Sequence, residues 1–144
     1  MDSLIFLVVV SSLLAMSTVQ AALERSEYSP KLLELVDSLH SICIGKSGTD
    51  EDSINKVING EFTDEPKIKK YMKCGITEVG VMNEEGVIDY EMTAELLPVK
   101  LVDKSIAIIK KCEADGKDIP NLDDRVFALF KCYHDQDPET FIFF

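Results

Sequence analysis

The predicted fold of this chain is decided by one stretch, Asn121-Leu-Asp-Asp-Arg-Val-Phe-Ala-Leu-Phe-Lys-Cys-Tyr133. Asn121 can cap a helix there, and Asp123 and Asp124 suit the positive end of the helix dipole. At 3.6 residues per turn the apolar side chains form one broad face. That face consists of Leu122, Val126, Leu129 and Tyr133, flanked by Phe127 and Phe130. A helix with so wide an apolar face is predicted to pack against several others.

Five further helices are predicted upstream of this stretch from cap residues, proline positions and apolar spacing. Their predicted spans run from Pro30 to Gly45, from Thr49 or Asp50 to Ile58, from Pro66 to Val79, from Tyr90 to Leu97 and from Leu101 to Cys112. Alternation typical of strands is nearly absent. We therefore expect an all-α fold of six short helices, forming a single domain over residues 22–144.

The first twenty-one residues resemble a secretory signal peptide rather than part of the fold. An apolar run from Leu4 to Leu14 is shorter than the roughly 20 residues of a membrane span, and Val19-Gln20-Ala21 is typical of a cleavage site. The mature chain is therefore expected to be secreted, extracellular and soluble. Loss of the signal removes only Asp2, so the net charge changes from −11 to −10. An acidic chain of this kind is not expected to bind nucleic acid or to insert into membranes.

Neither a catalytic nor a metal site is predicted. The sequence Cys132-Tyr133-His134-Asp135 is similar to part of the secreted phospholipase A2 site, but the glycine-rich calcium loop of those enzymes is missing. No Gly-x-Ser-x-Gly motif occurs, and the acidic runs lack the ligand spacing of a calcium-binding loop. The expectation is a protein that is not an enzyme and needs no cofactor.

Four cysteines lie in the predicted mature chain, at positions 43, 74, 112 and 132. An even count in a secreted domain predicts two disulfides, and no spacing among them suits zinc. Spacing alone leaves all three possible pairings open.

Two segments, Lys69 to Cys74 and Phe127 to Tyr133, resemble those around conserved cysteines in the insect pheromone and general odorant-binding proteins. Members of that family carry six cysteines, of which the second and fifth bond each other. Lys70 and Asp123 stand at those two places, so the chain resembles the four-cysteine, Minus-C type. The resemblance implies the disulfides Cys43–Cys74 and Cys112–Cys132. It also allows an ion pair between Lys70 and Asp123 in place of the missing bond, or two side chains that do not meet.

The family resemblance implies six helices around an apolar cavity and the transport of small hydrophobic molecules, odorants or pheromones, through aqueous fluid. The ligand-binding residues expected on helices and tail are Leu39, Ile68, Tyr71, Met72, Ile76, Tyr90, Leu97, Leu101, Ser105, Ile108, Val126, Phe127, Phe130, Phe141 and Phe143. An odorant receptor or a homodimer partner is a further possibility. The alternatives are a carrier of lipids or hormones outside olfaction, and a secreted module that docks on a partner through its tail. Without the resemblance, the apolar faces favour a filled helical core, because apolar helix faces are more often packed against each other than they line a cavity.

Two features remain open from sequence alone. Ser105 lies within an apolar stripe, where its hydroxyl either bonds to the carbonyl of Leu101 or anchors a polar group of the ligand. The residues Phe141-Ile142-Phe143-Phe144, called the tail segment below, are too apolar to remain in water. They are expected to line the cavity mouth, with an outer groove or a second molecule as alternatives.

Overall fold

The computed structural model describes residues 22–144, so the predicted signal peptide lies outside the described residues. These described residues form six α-helices: α1 (Pro30–Ser47), α2 (Glu51–Ile58), α3 (Pro66–Glu78), α4 (Tyr90–Leu96), α5 (Val102–Gly116) and α6 (Leu122–Gln136). Within residues 22–144 the extended pairing is limited to one antiparallel bridge between Met82 and Ile88. The all-α prediction is confirmed.

The caps predicted from sequence start these helices. The side chains of Ser29, Asp50, Asp89 and Asn121 each accept a hydrogen bond from a main-chain N–H in the first turn of the helix that follows. These bonds satisfy donors that have no partner inside the helix. Asp50 rather than Thr49 therefore starts α2.

Two predicted helix ends were wrong. Helix α1 continues through Gly45 to Ser47 and is capped by Gly48, whose φ of 69° is the left-handed conformation that glycine adopts without strain. Helix α5 continues past Cys112 to Gly116. An ion pair from Lys111 to Asp115, 3.0 Å long and four residues apart, supports the extra turn.

Helix α3 packs against both α1 and α6, and α6 also packs against α5. The contact of α1 with α3 and the contact of α5 with α6 each contain one disulfide. Cys43–Cys74 joins α1 to α3, with Cα atoms 5.6 Å apart, and Cys112–Cys132 joins α5 to α6, with Cα atoms 5.7 Å apart. The pairing implied by the family resemblance is confirmed. The central contact, α3 with α6, has no disulfide.

Ion pairs cross that central contact, but not the pair that was proposed. Asp123 lies 2.5 Å from the ammonium of Lys73, and Asp124 lies 2.7 Å from that of Lys69. Lys70 lies between them in sequence and is exposed. Of the two alternatives left open for Lys70 and Asp123, the structure has the one in which the two side chains do not pair. Lys69 and Lys73 are four residues apart and share the side of α3 that meets α6, whereas Lys70 is exposed to solvent.

The disulfide pairing is directly testable. Peptide mapping without reduction should recover only Cys43–Cys74 and Cys112–Cys132. Replacing Cys112 and Cys132 together by alanine should lower the free energy of unfolding by about 3 kcal/mol, because the bond closes a loop of 20 residues. Chemical denaturation measures the loss. A peptide joining Cys74 to Cys112 would contradict the fold.

The ion pair across α3 and α6 can be measured by a double-mutant cycle on Lys73→Gln and Asp123→Asn. We expect a coupling energy of about 0.5–1 kcal/mol, since both side chains are only partly exposed. The matched control is the same cycle with Lys70→Gln, which should show no coupling to Asp123. Equal coupling of Lys70 and Lys73 would contradict the observed pairing.

Candidate ligand-binding site

The helices form an apolar cavity of about 180 Å³ that is partly open to solvent. Its wall is built from α1, α3, α4, α5 and α6, from the loop between α3 and α4, and from the tail segment. The side chains of its wall come mainly from Leu32, Leu39, Tyr71, Met72, Ile76, Val79, Val81, Met82, Ile88, Thr93, Leu96, Leu97, Ile109, Leu129, Phe130, Tyr133, Thr140 and residues 141–144. Nearly all of these groups are apolar, as expected of a site for a hydrophobic ligand.

About half of the predicted ligand-binding residues lie at this wall. They are Leu39, Tyr71, Met72, Ile76, Leu97, Phe130, Phe141 and Phe143. The others, Ile68, Tyr90, Leu101, Ser105, Ile108, Val126 and Phe127, lie elsewhere. That the first group binds a ligand stays a prediction.

The apolar residues away from the wall fill the spaces between helices. Ile68 and Val126 are fully buried in the main core. Phe127 packs its ring against Phe62 and lies below the ammonium of Lys69, which is 5.2 Å from the ring centroid. Helical periodicity identifies the buried face of a helix, but it does not distinguish residues that pack against other helices from residues that line a cavity.

Two of the expected ligand-binding residues outside the wall, Tyr90 and Ser105, have polar partners in the protein. The hydroxyl of Tyr90 donates to the carboxylate of Glu113. The pKa of Tyr90 is raised, mainly by burial and secondly by this hydrogen bond. The hydroxyl of Ser105, fully buried, bonds that of Tyr133 at 2.7 Å. Ser105 thus follows neither alternative, because its partner is another side chain.

Part of the wall lies outside the list of expected ligand-binding residues. The loop between α3 and α4 contributes Val81, Met82 and Ile88, and its bridge places these side chains over the cavity. The only sequence signal for them is a pair of short apolar runs on either side of Asn83-Glu-Glu-Gly86. Gly75 on α3 also lies at the wall, where it has no side chain that a hydropathy pattern can detect.

The tail segment closes the cavity from one side. Phe141 and Phe143 are 1% and 6% exposed, and their rings lie parallel with centroids 5.9 Å apart. Phe130 meets both rings edge-on, at 6.2 and 5.7 Å, and His134 meets Phe141 at 5.2 Å. Edge-to-face contacts of this kind contribute energy beyond simple burial. Of the three placements left open for the tail segment, the structure has the one at the cavity.

The alternate residues of the tail segment face a second cluster. Ile142 and Phe144 pack on Leu23, Tyr28, Leu32 and Val36, together with Leu101. Successive side chains of an extended segment point to opposite sides. The tail segment therefore lies between the main core and the second cluster, in which the first described residues pack against α1.

Main-chain oxygens of the tail segment accept three hydrogen bonds. The N–H of Leu23 donates to Phe141 at 2.6 Å, the hydroxyl of Tyr28 donates to Phe143 at 3.1 Å, and that of Tyr71 donates to Phe144. Burial is the main reason that the pKa of Tyr28 is raised to about 12 and that the pKa of Tyr71 lies well above its usual value. Both phenols therefore keep the proton that they donate.

A buried polar chain fixes the start of the tail segment. Tyr133 bonds Ser105 at 2.7 Å and Thr140 at 3.0 Å, Thr140 donates to the carboxylate of Asp137 at 2.5 Å, and Lys104 pairs with that carboxylate at 2.6 Å. Burial alone would raise the pKa of Asp137. The hydrogen bonds from Lys104 and Thr140 outweigh that effect, and the pKa lies below its usual value.

The profile of the PBP/GOBP family matches residues 25–136, most of the chain. The chain belongs to this family. Its fold and two disulfides are those of a four-cysteine, Minus-C member. Family and fold are those of carriers of small hydrophobic molecules, which are not enzymes.

Individual relatives agree with this assignment. The B1 protein of Tenebrio molitor is 29% identical over 133 residues, covering 91% of this chain and 95% of the relative. Odorant-binding protein 10 of Aedes aegypti is 34% identical over 95 residues, covering 63% of this chain and 65% of the relative. A crystal structure of odorant-binding protein 1 from Locusta migratoria has a TM-score of 0.67 at 20% identity, covering 78% of this chain and 87% of that one, and is similar in fold.

None of the described helices is both long and apolar enough to cross a membrane. The groups of side chains that hold metal ions in proteins are likewise not found among residues 22–144.

The depressed pKa of Asp137 predicts how stability changes with acid. A carboxylate whose pKa is lowered on folding stabilises the protein above its unfolded pKa of about 3.9, and the stabilisation is lost as the pH falls through the lower, folded value. We expect Asp137→Asn to lower the free energy of unfolding by about 1–2 kcal/mol at pH 7. The difference from the unmodified protein should shrink below about pH 4.

Thermal melting across that pH range measures this difference. The matched control is Asp135→Asn, an exposed carboxylate paired with Lys131 four residues earlier, which should change stability little at any pH. An equal effect of the two substitutions at pH 7 would contradict a structural role for the Asp137 chain.

Proposed function

We propose that this protein is a secreted carrier that binds a small odorant- or pheromone-like molecule reversibly and carries it through aqueous extracellular fluid. The observation that carries the proposal is the apolar cavity that the tail segment lines on one side. Membership of a family of hydrophobic-ligand carriers supports it, as does the similarity to Odorant-binding protein 10. Secretion is supported by the signal-like sequence of residues 1–21.

The volume of the cavity indicates the size of the ligand that it can hold. An apolar protein cavity of about 150 Å³ stays dry and binds benzene. The cavity here is about 180 Å³, so it suits a ligand slightly larger than benzene, on the order of ten non-hydrogen atoms. Binding is driven by removing the ligand's apolar surface from water, at about 25 cal/mol per Å². No covalent step is involved, so release regenerates the same protein.

The alternatives differ in how they use the tail segment. A module that docks on a partner through this segment would need Phe141 and Phe143 accessible, yet both side chains are buried in the chain's own cavity. This observation favours the carrier. A carrier of lipids or hormones outside olfaction has the same structure, and the tissue in which the protein is expressed separates it from an olfactory carrier. Binding of the ligand-loaded protein to a receptor, or to a second copy of itself, would be a separate step. Co-sedimentation with the loaded protein tests it.

The experiment that tests the proposal is titration with a fluorescent apolar probe. We expect saturable uptake of one probe per chain, and displacement by volatile compounds of about ten non-hydrogen atoms. Absence of uptake in the folded, oxidised protein would contradict the carrier function.

Two glycines provide a matched pair of variants for this titration. A Cβ atom added at Gly75, at the cavity wall, or at Gly45, an exposed position on α1, meets no other atom within 4 Å. Gly75→Leu should fill the cavity and weaken probe binding at least tenfold, whereas Gly45→Leu should leave it unchanged. Both substitutions improve helix propensity, so neither is expected to unfold the protein. Equal affinities in the two variants would show that the probe binds elsewhere.

A further inference from the structure

Four side chains at the described cavity wall carry a hydroxyl group: Tyr71, Thr93, Tyr133 and Thr140. The other side chains of the wall are hydrocarbon, methionine or disulfide-bonded cysteine and cannot donate a strong hydrogen bond. These four hydroxyls therefore decide whether the wall can donate a side-chain hydrogen bond to a ligand.

Two of the four hydroxyl hydrogens are committed to main-chain oxygens. Thr93 donates to the carbonyl of Asp89 at 2.6 Å, one turn earlier on α4. Tyr71 donates to the oxygen of Phe144, and the only other acceptor in its reach is the ring nitrogen Nδ1 of His40, 2.9 Å away. Either partner takes the hydrogen of Tyr71 away from the cavity.

The other two hydroxyls, those of Tyr133 and Thr140, belong to a chain of hydrogen bonds in which the donor of every bond is fixed. The carboxylate of Asp137 only accepts, so Thr140 donates to it. The oxygen of Thr140 then accepts from Tyr133, and the oxygen of Tyr133 accepts from Ser105. Three hydroxyl hydrogens serve three bonds, and all of them point towards Asp137. Neither Tyr133 nor Thr140 has a hydrogen left for a ligand.

We propose that the cavity selects hydrocarbons and rejects ligands of the same shape that carry a carbonyl group, because every hydroxyl at its wall has already donated its hydrogen within the protein. This inference rests on the proposed carrier function and narrows its ligand class. A carbonyl oxygen only accepts hydrogen bonds, so where it is buried against this wall it loses bonds to water and gains no side-chain donor. The excluded class comprises ketones, aldehydes, esters and carboxylic acids.

The test compares n-propylbenzene with propiophenone, which has the same carbon skeleton and one added carbonyl oxygen. Both contain about ten non-hydrogen atoms, the size that the cavity suits. Displacement of a fluorescent apolar probe should show the hydrocarbon binding about tenfold to a hundredfold more tightly than the ketone. Equal or tighter binding of the ketone, with the probe still taken up, would overturn the inference and leave the carrier function standing. Failure of any compound to bind would overturn the carrier function and the inference with it.

Two variants test whether the committed hydroxyl hydrogens cause the preference for the hydrocarbon. Ser105→Ala combined with Thr140→Val removes both partners of the Tyr133 hydroxyl and frees its hydrogen. The preference for the hydrocarbon should then fall at least threefold, mainly through tighter binding of the ketone. Tyr133→Phe removes the hydroxyl itself and frees no donor at Tyr133, so it should keep the preference. Hydrocarbon affinity in each variant reports that the cavity is intact. An unchanged preference in the double variant, with hydrocarbon affinity retained, would overturn the assignment to the hydroxyl hydrogens.

Discussion

The structure depends most on the burial of Phe141 and Phe143 between α3, α6 and the segment that precedes α3. Their rings stack on each other and meet Phe62, Tyr71, Phe130 and His134. Burying each phenylalanine side chain contributes about 1.5–3 kcal/mol, which offsets much of the entropy lost in ordering four residues that form no helix. Without these two rings the cavity would have no wall on this side.

The same segment explains how a four-cysteine chain holds its helices together. The two disulfides secure α1 to α3 and α5 to α6, while the contact of α3 with α6 has only ion pairs and side-chain packing. Phe143 touches Tyr71 on α3 and Phe130 on α6, so the tail segment packs across that contact. An aromatic group from a third segment thus supplies part of what a disulfide supplies in six-cysteine relatives. This role also makes the central helix pair sensitive to whether the tail segment is docked.

Sequence patterns predicted the helices, their N-terminal caps and, through the family resemblance, both disulfides. They failed where the outcome depends on relative placement of elements. Helical spacing put Ile68 and Val126 on buried faces, as observed, but it does not report that those faces meet other helices rather than the cavity. The partner of Ser105 lies 28 residues away on α6, and a pattern within α5 contains no information about it. Gly75 was missed because it has no side chain, and Lys73 was passed over because alignment to a cysteine position pointed to Lys70.

The apolar cavity with the tail segment as one of its walls is the central claim, and removing that segment tests it most directly. A variant that ends at Thr140 retains the six helices, both disulfides and the Asp137 chain, and loses only the tail segment. Probe titration at neutral pH should show at least a tenfold loss of affinity in this variant, with the helical circular dichroism signal retained, because four wall residues are gone. An unchanged affinity in the shortened protein would contradict the account, since it would place the ligand away from the cavity that the tail segment closes.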